Sequence, residues 1–156
     1  MALMDIGFFS ESLGMAVHCM ALLPHAREGE TLPKRQTLYL LHGMSDDQTT
    51  WQRRTSIERY ASAYGLAVVM PTTELGWYTD MYRGEKYFTF ITRELPAVCR
   101  DLFPMMSPRR EDTYVAGLSM GGYGALKCAL RAGDVFSRGA SLSGAADSRQ
   151  LPPGGY

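Results

Sequence analysis

A serine set between glycines is the residue in this sequence best suited to chemistry. Ser119 lies in the stretch 116–122, Ala-Gly-Leu-Ser-Met-Gly-Gly, between an apolar β-type run at 113–115 and a helical pattern. Strand, small residue, serine, glycine and helix make up the nucleophile-elbow arrangement, in which Gly117 and Gly121 leave room for a tight turn. The pattern predicts that Ser119 is a nucleophile, with a helix N-terminus beneath the developing negative charge. A glycine-rich turn that only packs a helix on a sheet is the structural alternative.

A serine nucleophile needs donors for the oxyanion as well as a general base. One donor is predicted to be the backbone N–H of Met120, directly after the nucleophile. The other is predicted to be the backbone N–H of Met44, in the His-Gly-Met turn at 42–44 that follows an apolar strand. Both donors are main-chain groups, so the methionine side chains carry little information about them.

The apolar patterns predict six strands separated by helices. The strands are expected at 4–9, 15–23, 37–41, 66–70, 113–115 and 139–143. The first two are joined by a polar turn and predict an antiparallel hairpin. The order β-β-β-α-β-α-β-α-β then predicts an α/β fold, with a mostly parallel sheet covered by helices on both faces.

The helices carry their own start, stop and kink signals. Thr55 and Glu58 form a possible capping box at the first helix, and Gly65 is suited to end it. A long helix is predicted over 87–103, with Pro96 as a kink or a break. Gly133 is predicted to end the helix after Ser119.

Sites on such sheets gather where the strands end. Residues 42–44, residues 72–80 and Ser119 all follow predicted parallel strands, from places far apart in the sequence. The sequence therefore predicts that these three segments converge on one site.

Composition narrows the classes of function. The 156 residues fit a single domain, and 16 basic residues balance 16 acidic ones, so nucleic acid is not expected as a partner. No apolar run reaches membrane-spanning length, and no signal peptide is recognised. Three cysteines without a C-x-x-C pair fit reduced thiols, so a cytoplasmic location is expected.

No cofactor or metal is expected from the motifs. His18 alternates with apolar residues along a predicted strand and His25 lies in a polar loop, without metal-ligand spacing. The glycine run at 116–122 lacks both the P-loop lysine and the Rossmann spacing.

Four motifs in order resemble a known family. They are Leu-Leu-His-Gly-Met-Ser at 40–45, Val-Met-Pro at 69–71, Gly-Trp-Tyr-Thr-Asp at 76–80 and Ala-Gly-Leu-Ser-Met-Gly-Gly-Tyr-Gly at 116–124. From about residue 4 to residue 147, the sequence resembles the esterase D family of α/β-hydrolases. It is most similar to bacterial tributyrin esterases, and next to S-formylglutathione hydrolases.

The resemblance implies an α/β-hydrolase fold and a serine carboxylesterase that hydrolyses short acyl esters through an acyl-enzyme on Ser119. It implies a small acyl ester as the partner, with Met44 and Met120 as oxyanion donors. It also implies contact with the substrate for further residues of the turn and of the aromatic loop: Gly43, Trp77, Tyr78 and Asp80. For Trp77, a plain packing role is the alternative. A thioesterase of the S-formylglutathione hydrolase type is the alternative within enzymes.

The sequence departs from the family after Ser119. In this fold the acid and the histidine of the triad follow the serine, but no histidine follows Ser119, and the acids there are Asp134 and Asp147. The resemblance implies that His42 belongs to the oxyanion turn, which argues against a role as the base. We therefore expect a single partial domain, residues 1–156, that lacks the last strands of the fold.

Such a domain has structural consequences. Residues 139–143 would form an unpaired apolar edge open to self-association. The sequence is then either the front part of a longer reading frame or a degenerate, non-catalytic remnant of the fold.

Overall fold

The computed structural model of the protein describes residues 1–26, 29 and 33–146. Six strands of this part form one sheet in the order β1-β2-β4-β3-β5-β6. Their bounds are β1 Ala2–Ser10, β2 Met15–Leu23, β3 Thr37–Leu41, β4 Ala67–Pro71, β5 Thr113–Leu118 and β6 Arg138–Leu142. The β1–β2 and β2–β4 pairs are antiparallel, and the three pairs that join β4, β3, β5 and β6 are parallel. The predicted hairpin and the mostly parallel sheet are confirmed.

The helices lie on both faces of the sheet, as predicted. They are α1 Thr50–Arg54, α2 Ile57–Tyr64, α3 Tyr87–Thr89, α4 Leu95–Leu102 and α5 Met120–Arg131. Side chains alternate along a strand, so Tyr39 and Leu41 of β3 pack with α3, α4 and α5, while Leu40 packs with α1 and α2. Full burial of one such leucine contributes about 1.5–3 kcal/mol.

The first predicted helix is α2, with a different N-cap residue, and the short helix α1 before it was not predicted. Ser56 is the N-cap of α2, one residue after Thr55, so the predicted capping box is wrong. Thr55 Oγ1 does accept the backbone N–H of Ile57 at 3.2 Å. The predicted stop is confirmed, because Gly65 ends α2 in the left-handed conformation with φ 58°.

The long helix is interrupted by a wide turn ahead of Pro96. A π-helical turn over Phe90–Glu94 joins α3 to α4, and Pro96 lies in the first turn of α4. Proline has no N–H to donate back to the preceding turn, and the wider turn accommodates this loss without ending the helix. Glu94, the last residue of the wide turn, accepts a 2.7 Å hydrogen bond from Ser10 Oγ and so fixes the β1–β2 turn.

Helix α5 ends close to its predicted stop. Its last helical residue is Arg131, two positions before Gly133. Nowhere in residues 1–26, 29 and 33–146 does a helix have the length and apolar character needed to cross a bilayer.

Strand β6 is an open edge in the described part of the chain. All five of its residues are exposed, and β5 is its partner on one side only. Leu118 and Leu142, paired across β5 and β6, are 40% and 46% exposed. An exposed strand edge with apolar neighbours is a template for pairing with another chain.

We expect this edge to pair with a second copy of the chain. A lysine at Ala140, in the middle of β6, should oppose pairing because it places like charges at the contact. Size-exclusion chromatography should show Ala140→Lys shifted from dimer towards monomer, whereas Ala63→Lys on exposed α2 should behave as wild type. A wild-type protein that remains monomeric at high concentration would contradict the expectation.

Candidate active site

Ser119 occupies the turn between β5 and α5 in a strained conformation. Its φ is 54° and its ψ is −116°, a combination that costs a non-glycine residue about 1–3 kcal/mol. The Ser119 N–H donates to the carbonyl of Leu142 at 2.9 Å, and the Ser119 carbonyl accepts from the N–H of Tyr123 at 3.0 Å. The neighbouring strand and the first turn of α5 therefore hold the serine in place. Its side chain is exposed.

The flanking glycines are required because main chains approach very closely here. A Cβ on Gly117 would lie 2.2 Å from the carbonyl oxygen of Gly121. A Cβ on Gly121 would lie 2.4 Å from the carbonyl oxygen of Leu41, at the end of β3. The turn after Ser119 is therefore packed against both its own strand and β3.

The turn at 42–44 lies directly beside the serine. A Cβ on Gly43 would be 3.7 Å from Ser119 Cβ and 3.2 Å from Asp46 Oδ2. Met120 is the first residue of α5, so its N–H is among those that the helix itself leaves unbonded. This arrangement brings the two segments of the predicted oxyanion donors together.

His42 is a structural brace in this turn. It is buried, and its Nε2 accepts the backbone N–H of Thr73 at 2.9 Å. An amide N–H can only donate, so the ring proton lies on Nδ1, which donates to the carbonyl of Gly43 at 2.7 Å. Burial lowers the pKa of His42, which keeps the ring neutral. Both ring nitrogens are occupied, so His42 does not serve as the base for Ser119.

The loop at 74–80 supports the same turn. Tyr78 is fully buried, and its hydroxyl donates to the carbonyl of His42 at 2.9 Å. The ring packs on α5 where a Cβ at Gly124 would come within 2.4 Å of it. Tyr78 therefore supports the turn at 42–44, and its expected contact with the substrate stays a prediction.

Trp77 and Asp80, the other two loop residues expected at the substrate, are less buried than Tyr78. The Trp77 ring packs edge-on against Tyr123, with 5.7 Å between ring centroids, one helical turn beyond Ser119. Asp80 is exposed, and its carboxylate accepts hydrogen bonds from the N–H and Oγ1 of Thr89 at 2.9 and 2.7 Å. Asp80 thus ties the loop to the end of α3.

Comparison with known proteins gives the family. The family model described as “Putative esterase” matches residues 10–154. The chain belongs to this esterase family. It is 35% identical over 152 residues to an acetyl esterase from Caldicellulosiruptor saccharolyticus, covering 93% of this chain and 57% of that one.

Solved structures are similar as well. A fluorophosphonate-binding serine hydrolase from Staphylococcus aureus, FphF, is 38% identical with a TM-score of 0.89. An S-formylglutathione hydrolase from the same species, FrmB, is 38% identical with a TM-score of 0.85. In both cases 96% of this chain and 60% of the other chain are covered. This esterase chain thus spans a little under two thirds of the length of the relatives it matches.

His18 and Asp134 make side-chain contacts away from Ser119. His18 lies against β1, with Nδ1 3.3 Å from a carboxylate oxygen of Asp5. Asp134 follows α5 at the end away from Ser119 and forms an ion pair with Arg93. Asp147 lies outside the described residues. In the part of the esterase that the structure describes, no three His, Cys, Asp or Glu side chains form a metal site.

Lys127, which no sequence motif singles out, lies on the same side of α5 as Tyr123. This half-buried lysine donates to Thr79 Oγ1 at 2.6 Å and lies 5.7 Å from the centre of the Tyr123 ring. Burial lowers its pKa. The i, i+4, i+8 spacing of Ser119, Tyr123 and Lys127 along α5 was a signal that these three residues share one face.

The hydrogen bond from Tyr78 to His42 is expected to stabilise the folded chain. Tyr78→Phe should lower the free energy of unfolding by about 1–3 kcal/mol, because the buried carbonyl of His42 loses its donor. Urea unfolding at neutral pH measures the change. Tyr82→Phe, at a tyrosine that is 97% exposed, is the matched control and should leave stability unchanged. Equal unfolding midpoints for Tyr78→Phe and wild type would contradict the bracing role.

Proposed function

We propose that this chain acts as a serine carboxylesterase on short-chain acyl esters, through an acyl-enzyme on Ser119. The observation that carries the proposal is the exposed, strained serine at the start of α5, with the Gly43 turn directly beside it. Membership of the esterase family supports the same reaction class.

The proposed reaction has two halves. Ser119 Oγ attacks the ester carbonyl while its proton passes to a base, and the alcohol leaves with a proton. Water then attacks the acyl-enzyme, releases the acid and restores the serine. In both halves the N–H groups of Met44 and Met120 stabilise the oxyanion. Loss of one such donor in a well-studied protease costs about 2.7–4 kcal/mol of transition-state stabilisation.

The rate of the proposed reaction is limited by the general base that Ser119 needs. His42 is fully engaged by Thr73 and Gly43, and His18 lies against β1. In the part of the chain that the structure describes, Ser119 Oγ has no hydrogen bond to a histidine or to a carboxylate. We therefore expect slow turnover from the 156-residue chain, because residual catalysis without a triad is only about 10³–10⁴-fold above water in a characterised enzyme.

The substrate is proposed to lie against one aromatic wall and above a floor formed by Gly43. Trp77 and Tyr123 form an aromatic wall on the α5 side, which suits a short apolar acyl group. Gly43 forms the floor next to Ser119, where the absence of a side chain lets the carbonyl approach. Asp80 is proposed to shape the mouth of this pocket through its hold on Thr89.

A thioesterase is the second candidate, favoured by one comparison. The structure with a TM-score of 0.85 is described as an S-formylglutathione hydrolase, at 38% identity. The nucleophile and oxyanion donors would serve both reactions, and only the leaving group differs.

A cytoplasmic location is also proposed. Cys19, Cys99 and Cys128 are all buried and free, as expected for thiols in a reducing compartment.

Labelling with a fluorophosphonate tests the nucleophile. We expect covalent modification of the wild-type chain at Ser119, located by mass spectrometry, and no modification of Ser119→Ala. Ser62→Ala, at an exposed serine of α2, is the control and should be labelled as wild type. A chain that is folded but unlabelled would favour the non-catalytic remnant and overturn the proposal.

A substrate comparison separates the two candidates. Hydrolysis of p-nitrophenyl acetate and butyrate, set beside a matched acetyl thioester, should show feeble turnover with the oxyester ahead. Robust turnover that Ser119→Ala abolishes would show that a base acts in this chain. A thioester preference of ten-fold or more would favour the second candidate.

A further inference from the structure

A cavity opens at the edge of the sheet that lies away from Ser119. Its volume is about 290 Å³, and its lining includes Lys34, Arg35, Tyr64, Gly65, Arg109 and Asp112. These residues precede β3, β4 and β5, whereas the turn at 42–44, the loop at 74–80 and Ser119 follow the same strands. A strand rises about 3.3 Å per residue, so the cavity lies roughly 20 Å from Ser119. It is therefore separate from the proposed ester site.

Positive charge predominates in the lining of this cavity. Lys34, Arg35 and Arg109 supply it, and Asp112 is the one carboxylate in the lining described for the cavity. Asp112 already accepts hydrogen bonds from Ser107 Oγ at 2.6 Å and from Arg109 Nε at 2.9 Å. These two bonds hold the pKa of Asp112 below its usual range, so its charge is retained and is spent on Arg109. The cations of Lys34 and Arg35 are left over.

Arg35 is the cation that the fold leaves without a counter-ion. In residues 1–26, 29 and 33–146, no carboxylate lies within 4.0 Å of its guanidinium. Its Nε is buried and has no hydrogen-bond partner in the same part of the chain. Buried donors in proteins nearly always have an acceptor, because a buried donor without one is unfavourable. An anion in the cavity would supply that acceptor.

The main chain holds Arg35 beside the cavity. The Arg35 N–H donates to the carbonyl of Met105 at 2.7 Å, and the Arg35 carbonyl accepts from the N–H of Ser107 at 2.9 Å. Gly65 leaves room for the side chain, since a Cβ at that position would lie 3.0 Å from Arg35 Nη1. The guanidinium is thus positioned by contacts that do not neutralise it.

We propose that this cavity binds a phosphate group, carried either by inorganic phosphate or by a small phosphomonoester. The planar fork of Arg35 donates to two phosphate oxygens. Lys34 adds charge at the rim, where its Nζ also donates to the carbonyl of Pro104. Two cations without a carboxylate match the double charge of phosphate better than the single charge of a carboxylate ligand. Tyr64, which is 83% exposed, is the part of the lining that the organic group of a phosphomonoester would cover.

Titration calorimetry at low salt and about pH 8, where phosphate is a dianion, tests the site. Inorganic phosphate and phenyl phosphate are titrated separately into the wild-type chain, with acetate as the single-charge control. We expect saturable binding of phosphate, about five-fold or more tighter than acetate and weakened by added sodium chloride. Equal affinity for the two phosphate compounds assigns the site to free phosphate, and tighter binding of phenyl phosphate assigns it to a phosphomonoester.

Variants locate the binding. Arg35→Met should weaken phosphate binding about ten-fold or more, and Arg35→Lys should keep part of the affinity, because lysine retains the charge without the planar fork. Arg59→Met is the matched control, because Arg59 is exposed on α2 and is not part of the lining described for this cavity. Circular dichroism confirms that each variant is folded. Lys34→Met, at an exposed lysine, gives a second test and should weaken binding about two- to five-fold.

Three results would overturn the phosphate site. They are the absence of saturable phosphate binding, equal affinity for phosphate and acetate, and a phosphate affinity that Arg35→Met leaves unchanged. Any of them would leave Arg35 as a structural residue. The site and the proposed function are tested independently, because none of these variants changes a residue near Ser119.

Discussion

The site depends on the close approach of three main-chain segments around Ser119. Strand β5, the first turn of α5 and the end of β3 meet where Gly117 and Gly121 have no room for a side chain. This contact forces the serine into a backbone conformation that costs about 1–3 kcal/mol. Hydrogen bonds at the Ser119 N–H and carbonyl contribute about 0.5–1.5 kcal/mol each. The two magnitudes are comparable, so the surrounding packing decides whether the elbow persists.

A second layer of contacts holds the turn at 42–44 against this elbow. Thr73 fixes the ring of His42 from the end of β4, and Tyr78 fixes the His42 carbonyl from the next loop. The turn is thus bonded to two segments that lie more than thirty residues away in sequence. A histidine often suggests acid–base chemistry, but here its hydrogen bonds and burial make it part of the scaffold.

Local patterns predicted the elements well and the contacts between loops less well. The alternation of apolar residues located the hairpin and the buried strands, and Gly117 and Gly121 identified the elbow, because these signals depend on neighbouring residues alone. The N-cap of α2 was predicted at Thr55 and lies at Ser56 in the structure. Sequence patterns do not resolve a difference of one residue at a helix end. The contact of His42 with Thr73 arises only when segments that are distant in the sequence pack together, so no local pattern could predict it.

The dependence of the elbow on β6 links the open edge to the chemistry. The N–H of Ser119 donates to Leu142, and Leu142 belongs to a strand whose five residues are all exposed. A strand paired on one side is freer to move than one held on both sides, and any movement of β6 changes a hydrogen bond of Ser119 itself. A partner strand that covers β6 would therefore stiffen the Ser119 turn as well as remove an aggregation-prone edge. The stability of the sheet edge and the backbone geometry of Ser119 therefore depend on the same hydrogen bond.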